Sequence, residues 1–249
     1  MRIDFNCDLG EGCGDDAAII PLITSASIAC GGHAGDEGTM RTTLRLCRDH
    51  DVAAGAHPGY PDRANFGRQE MPFAPAQIEA LVGEQIAALG ALAASEGIRL
   101  AHVKPHGALY NVAARDLAVA GAIARAVARF DSRLILFGLS GSQLTTAGEA
   151  AGLRVAHEVF AERRYEADGT LVARGRDDAV IHDLDECITQ VRGFVRNGRV
   201  SARGGESLPL RADTLCLHGD RADAAGFARA IRSALEADAV RILSVGASA

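Results

Sequence analysis

The chain has 249 residues, a formal net charge of −6, 48% hydrophobic and 23% charged residues. Such a length and composition predict one large folded domain or two small ones and exclude wholesale disorder. The acidic balance, with no block of Lys or Arg and no apolar run near 18 residues, argues against nucleic acid and membrane partners.

Residues 3–9 alternate strictly between apolar and polar, the period of a strand, with Asp4, Asn6 and Asp8 on one face. Further strands are expected at 25–30, 52–57, 100–104, 134–138, 155–160 and 214–217. Helical patterns fill the gaps at 39–50, 76–96 (just after Pro75), 117–130, 141–151, 183–195 and 222–237. Residues 165–174, turning at Asp168-Gly169, read as a hairpin arm, and 198–209 as an irregular insert. Residues 240–245 leave an eighth strand open. Seven β/α repeats imply a parallel sheet, either closed as a barrel or open and doubly wound. No linker divides the chain, so one domain over 1–249 is expected.

Cys7, Cys13, Cys30, Cys47, Cys187 and Cys216 form no C-x-x-C pair, and residues 1–10 carry two aspartates and no signal-peptide core. Free thiols in a reducing cytoplasm are the expectation. Cys7, Cys30 and Cys216 lie in strand-like runs and are expected to pack as small hydrophobes.

Polar residues gather where the strands run out: Asp8 and Glu11, His33 and Asp36, His57 and Asp62, Lys104 and His106, Glu158 and Arg163, His218 and Asp220. In any parallel β/α architecture those ends share one face, where active sites form. Each piece has a plainer reading. Asp8 and Glu11 could cap a helix, and the glycine-rich turn around His33 is a common feature. The sharpest signal is His102-Val103-Lys104-Pro105-His106. Alternation puts its three potentially cationic groups on one face, which needs an anion or carboxylates such as Asp8, Glu11 and Asp220 in answer. Lys104 is the only lysine beside 25 arginines, which suggests a site that needs an ammonium. No Walker loop, G-x-S-x-G, H-E-x-x-H or zinc-finger spacing occurs. Carboxylates and imidazoles from several strand ends still fit a metal hydrolase.

Seven blocks in order then become recognisable. They are Asn6-Cys7-Asp8-Leu9-Gly10-Glu11, Ala29-Cys30-Gly31-Gly32-His33-Ala34-Gly35-Asp36, Gly55-Ala56-His57-Pro58-Gly59-Tyr60-Pro61-Asp62 and Phe66-Gly67-Arg68. They continue with His102-Val103-Lys104-Pro105-His106-Gly107-Ala108-Leu109-Tyr110-Asn111, Glu158-Val159-Phe160-Ala161-Glu162-Arg163 and Cys216-Leu217-His218-Gly219-Asp220. Together they resemble the LamB/YcsF family, the A subunits of 5-oxoprolinase. The resemblance implies an α/β fold, a seven-stranded (β/α) barrel of the glycoside hydrolase/deacetylase type. It implies ATP-dependent opening of the lactam of 5-oxoproline to glutamate, with ATP and Mg²⁺ as co-substrate and with subunits B and C as partners.

For that reaction, Lys104 and His106 are expected to stabilise phosphoryl or oxyanion charge, and Asp8 or Glu11 to act as base with His57. Arg68 or Arg163 would pair with the substrate carboxylate, while Asn6, His33, Tyr110, His218 and Asp220 complete the substrate site. If a metal binds, the expected ligands are Asp8, His33, His57 and His218. Two rivals stay open: a metal-dependent deacetylase of N-acetylated sugars, and a non-catalytic subunit that delivers substrate.

Overall fold

The computed structural model describes residues 1–247. The chain opens with β1 (Arg2–Leu9), α1 (Asp16–Ile19), β2 (Ser25–Ala29), α2 (Glu37–Asp49), β3 (Ala53–His57) and α3 (Pro75–Ser95). Then come β4 (His102–Val103), α4 (Gly107–Arg115), α5 (Leu117–Phe130), β5 (Ile135–Leu139), α6 (Gln143–Ala150) and β6 (Arg154–Phe160). The last third holds α7 (Leu184–Arg192), β7 (Arg199–Ser201), β8 (Ser207–Pro209), β9 (Thr214–His218), α8 (Ala224–Ala237) and β10 (Arg241–Ile242). β1 through β6 and then β9 pair side by side, all parallel, and β9 returns to β1 from Asp4↔Thr214 to Asp8↔His218. The sheet is therefore a closed seven-stranded α/β barrel, and the open doubly wound alternative falls away.

Residues 240–245 add no eighth stave. β10 pairs only with Arg2 and Ile3 at the base of β1, and Val245 packs against Ile135, Phe137 and Ala156 at the barrel's lower end. The insert at 198–209 is regular after all: β7 and β8 form a small antiparallel ladder. The arm at 165–174 is held by single bridges, Tyr165↔Leu171 and Arg163↔Val180. β4 is shorter than its apolar pattern, because Pro105 has no N–H to continue the ladder beyond Lys104. The helix expected at 183–195 ends at Arg192, and residues 193–197 continue as a wider π-turn.

Helix ends follow local chemistry. Asp36, Asp116 and Asp183 accept backbone N–H bonds at the starts of α2, α5 and α7, and Pro75 occupies the first turn of α3. α3 is long and apolar enough by length and composition to cross a membrane, which the sequence reading did not anticipate. Here it buries Ile78, Val82, Ile86, Leu89 and Ala93 as an outer helix of the barrel. The main core lies between strands and helices, where β1 contributes Ile3, Phe5, Cys7 and Leu9.

The other face of β1 points into the barrel, where polar groups form a buried layer. Asp4 accepts hydrogen bonds from Thr24 and Ser25 at 2.7 Å each and from Thr214. Burial outweighs these donors and raises its pKa to about 6. An acid whose folded pKa is raised stabilises the fold only while protonated, so its contribution is lost as pH rises from about 4 to about 6. The stability of wild type relative to Asp4→Asn should fall by about 3 kcal/mol between pH 3 and pH 7. Urea titrations of both proteins across that range measure it, and a difference independent of pH would contradict the assignment.

Candidate active site

Six of the seven barrel strands deliver polar side chains to the C-terminal end. After β4 the chain turns Lys104 inward, leaving it 2% exposed. Its Nζ lies 2.8 Å from Asp8 Oδ1, 2.9 Å from Glu158 Oε1, 3.0 Å from Cys216 Sγ and 3.3 Å from Asn6 Oδ1. Asn6 Nδ2 donates to Glu158 Oε1 at 2.9 Å, and the Tyr110 hydroxyl donates to Glu158 Oε2 at 2.7 Å. Burial works against the Lys104 ammonium, yet the Asp8 and Glu158 carboxylates hold its pKa well above the ordinary value. Burial likewise opposes ionised Asp8, while the Lys104 ammonium, 2.8 Å away, pulls its carboxyl well below the usual range.

Two members of this group were not assigned to the site from sequence. Glu158 was visible as a strand-end carboxylate, and alternation in β6 places it inward with Phe160, whose ring lies 5.2 Å from Lys104 Nζ. Cys216 is buried as expected, but it faces the ammonium rather than a hydrophobic neighbour. Burial first, and then the nearby acids against the pull of Lys104, push its thiol well above the ordinary value, so it stays protonated.

Beside this pair stands a histidine cluster. His57 comes from the end of β3, His33 and His106 from the loops after β2 and β4, and Glu11 from the loop after β1. The rings of His33 and His106 stack at 3.6 Å with an interplanar angle of 3°. Gly59 and Gly67 make room for the stack, since a Cβ there would sit 2.7 Å and 2.6 Å from atoms of His33. Gly67 also has φ +63, a backbone conformation that suits glycine. His33 Nε2 lies 3.2 Å from Glu11 Oε1, and His106 Nδ1 lies 3.4 Å from the same oxygen.

The three cations expected along 102–106 reduce to one. His102 stacks on Phe137 one layer down, beside Ser27 Oγ at 3.2 Å, and burial lowers its pKa to about 3. Burial also lowers His57 to about 4, His33 to about 2 and His106 well below its ordinary value, so these imidazoles are neutral. Burial and the Asp8 charge raise Glu11 well above the usual range. His106 donates Nε2–H to Phe66 O at 2.8 Å and so has no hydrogen left for an oxyanion, which corrects its expected role. The expected metal set also divides: His33 and His57 fall with Glu11 and His106, and His218 with Asp8 and Cys216.

Asp8, His57, Arg68, Lys104, His106, Tyr110, Arg163 and His218 line one cavity of about 760 Å³ at the barrel mouth, roofed by residues 168–175. Asn6, Glu11, His33 and Asp220 lie behind or beside its wall. Arg163 is buried, with Nη2 donating to Val172 O at 2.7 Å, and among the described residues no Asp or Glu pairs with it. Burial, and then the charge of Arg174, lowers its pKa to about 10, so it stays cationic. Arg68 and Arg174 instead pair with Asp220 at the rim, so Asp220 does not answer Lys104 as expected. His218 Nδ1 is held by Glu162. A second cavity of about 870 Å³ lies between α7 and the β7–β8 ladder. Its Arg164 and Arg203 are paired with Glu186 and Asp178, and none of the expected site residues reaches it.

Comparison with known proteins agrees with this architecture. The LamB/YcsF family pattern matches residues 3–249. The chain is 53% identical to the 5-oxoprolinase A subunit of Bordetella pertussis, over 96% of this chain and 97% of that protein. It is equally 53% identical to that of Chloroflexus aggregans, over 97% and 98%. The crystal structure of a lactam utilization protein from Thermus thermophilus superposes with a TM-score of 0.91 at 44% identity, covering 98% of this chain and 99% of that one. A putative cellobiose-phosphate cleavage protein from Enterococcus faecalis shares the fold alone, with TM-score 0.57 at 13% identity over 98% of this chain and 97% of that one. With a family match over nearly its whole length and relatives this similar, the chain belongs to the LamB/YcsF family.

Proposed function

We propose that this chain is the A subunit of an ATP-dependent 5-oxoprolinase, opening 5-oxo-L-proline to L-glutamate as ATP becomes ADP and phosphate. The names of its relatives point to that substrate. The observation that carries the reading is a single cavity with two buried cations in its wall, the Lys104 ammonium and the Arg163 guanidinium, which has no carboxylate partner among the described residues. The substrate brings one carboxylate and one carbonyl oxygen that gains negative charge during reaction.

A five-membered lactam is an unstrained amide with a poor leaving group. Transfer of the γ-phosphoryl group of ATP to the lactam oxygen forms an O–P bond and releases ADP. Water then adds to the activated carbon, the ring C–N bond breaks as the nitrogen takes a proton, and a second water hydrolyses the acyl phosphate. Lys104 stabilises charge on the phosphoryl or carbonyl oxygen as a preorganised point charge. Lys104 occupies Asp8 Oδ1 and leaves Oδ2 toward His57, 3.4 Å away, so Asp8 Oδ2 accepts a hydrogen bond from the attacking water and orients it. Arg163 binds the substrate carboxylate with the planar fork suited to it.

Arg163 provides the test. With the complete complex, ATP and Mg²⁺, Arg163→Lys should raise KM for 5-oxoproline about 10- to 100-fold, as expected for a lost charge-assisted bond. It should not change binding of 2-pyrrolidinone, which lacks the carboxylate. Equal effects on both ligands would remove Arg163 from substrate recognition. A complete complex that forms no glutamate, yet releases acetate from an N-acetyl sugar, would replace this reading with the deacetylase.

A further inference from the structure

We propose that Glu11, His57 and His106 form a binding site for one divalent first-row transition ion, with His33 in reach as a fourth ligand. The argument begins from hydrogen positions. His57 Nδ1 lies 2.7 Å from Lys104 O, and His106 Nε2 lies 2.8 Å from Phe66 O. A carbonyl oxygen only accepts, so both of those nitrogens carry hydrogen. The remaining nitrogens, His57 Nε2 and His106 Nδ1, therefore present lone pairs, and they face each other at 2.9 Å.

Carboxylate oxygens crowd the same space. His57 Nε2 is 3.4 Å from Asp8 Oδ2 and 3.9 Å from Glu11 Oε1, and His106 Nδ1 is 3.4 Å from Glu11 Oε1. Acceptors therefore converge on one buried point. A proton on Glu11 or one shared by the two imidazoles would each relieve part of this crowding; a cation would relieve all of it.

The spacings suit a metal. With metal–ligand bonds of ~2.0–2.1 Å, two ligands lie about 2.9 Å apart at a right angle and about 3.4 Å apart at the tetrahedral angle. Both separations occur here. The ligand atoms of Glu11, His33, His57 and His106 all lie within 4.8 Å of one another. The backbone carbonyls also play the part of outer partners, since metal-bound histidines donate their second ring N–H to such groups and are oriented by them.

The neighbouring trio of Asp8, Cys216 and His218 does not compete. Lys104 Nζ already sits 2.8 Å from Asp8 Oδ1 and 3.0 Å from Cys216 Sγ, a cation against two of the three ligands, while Glu162 takes His218 Nδ1 and leaves Nε2 3.9 Å from Asp8 Oδ2. Two imidazoles and one carboxylate select ions such as Zn²⁺, Co²⁺ or Mn²⁺ over Mg²⁺ and Ca²⁺, which prefer all-oxygen sites. The inference does not depend on the lactam reading, because it concerns what the site holds and not what it cleaves.

The test is binding by the full chain after dialysis against a chelator. Isothermal titration with Zn²⁺, and visible absorption on adding Co²⁺, should each report one equivalent. His57→Ala and His106→Ala should weaken binding by more than the ~10–100-fold typical of a lost outer partner. Glu11→Gln, nearly isosteric, should weaken it in the same direction and serves if an alanine variant fails to fold by circular dichroism. His218→Ala should leave stoichiometry and affinity unchanged. Two results would overturn the proposal: no ion bound, with nitrogen NMR showing a proton shared by His57 and His106, or binding that survives the loss of either histidine.

Discussion

Lys104→Met should destabilise the chain by about 3–5 kcal/mol, the cost of leaving one side of a buried ion pair without its partner. Among the described residues, the Lys104 ammonium is the only cation within bonding distance of both Asp8 Oδ1 and Glu158 Oε1, and it is fully enclosed. Methionine fills much of the volume but answers neither carboxylate. Adding Asp8→Asn should restore a large part of the loss, since Glu158 keeps bonds from Asn6 Nδ2 and the Tyr110 hydroxyl. Lys104→Arg should cost about 1–3 kcal/mol through overpacking, because the longer planar head must fit beside Phe160. All three variants should lose glutamate formation in the complete complex. Urea unfolding at neutral pH, with turnover normalised to folded protein, checks both effects. A Lys104→Met chain within about 0.5 kcal/mol of wild type would remove the structural role, and near-normal turnover in any folded variant would remove the chemical one.

Much of this arrangement was written in local pattern. The alternation of residues 3–9 identified which side chains enter the barrel, and the absence of other lysines singled out Lys104. What local pattern does not contain is who meets whom across the barrel. Glu158 lies more than fifty residues from Lys104 in sequence, so its pairing depends on closure of the sheet. The same limit applies to charge state. Period-two spacing correctly put His102, Lys104 and His106 on one side, but burial, invisible in sequence, leaves only the ammonium charged. α4 was missed because its nine residues lie directly between the strand-end turn and the Asp116 cap of α5, with no separate start signal. The ring orientation of His106 depends on a backbone carbonyl, Phe66 O, which no residue type discloses.

Purified alone, the chain should form no measurable glutamate from 5-oxoproline, with or without ATP and Mg²⁺. The chemistry requires a phosphoryl donor held in line with the lactam oxygen, and the described residues offer no phosphate cradle of the usual kind. Lys104 alone is no nucleotide cradle: Asp8, Glu158, Asn6 and Cys216 fix its ammonium at the cavity wall, where it meets charge at the lactam oxygen but cannot follow a nucleotide outside the cavity. At the rim, Arg68 and Arg174 share the single carboxylate of Asp220, which ties both side chains to the wall. In the glycine-rich turn after β2, the carbonyls of Gly31 and Gly35 are tied to Arg63, and Gly31 N–H is spent on Ala34 O. Adding the two partner subunits should restore glutamate formation with one ADP per turnover, since they would bring the nucleotide to the open mouth above Lys104 and Arg163. The measurement is glutamate and ADP together, for the chain alone, the partners alone and the reconstituted complex. Robust ATP-dependent cleavage by the isolated chain would refute the partner requirement. Full activity of the partners without this chain would remove it from the reaction.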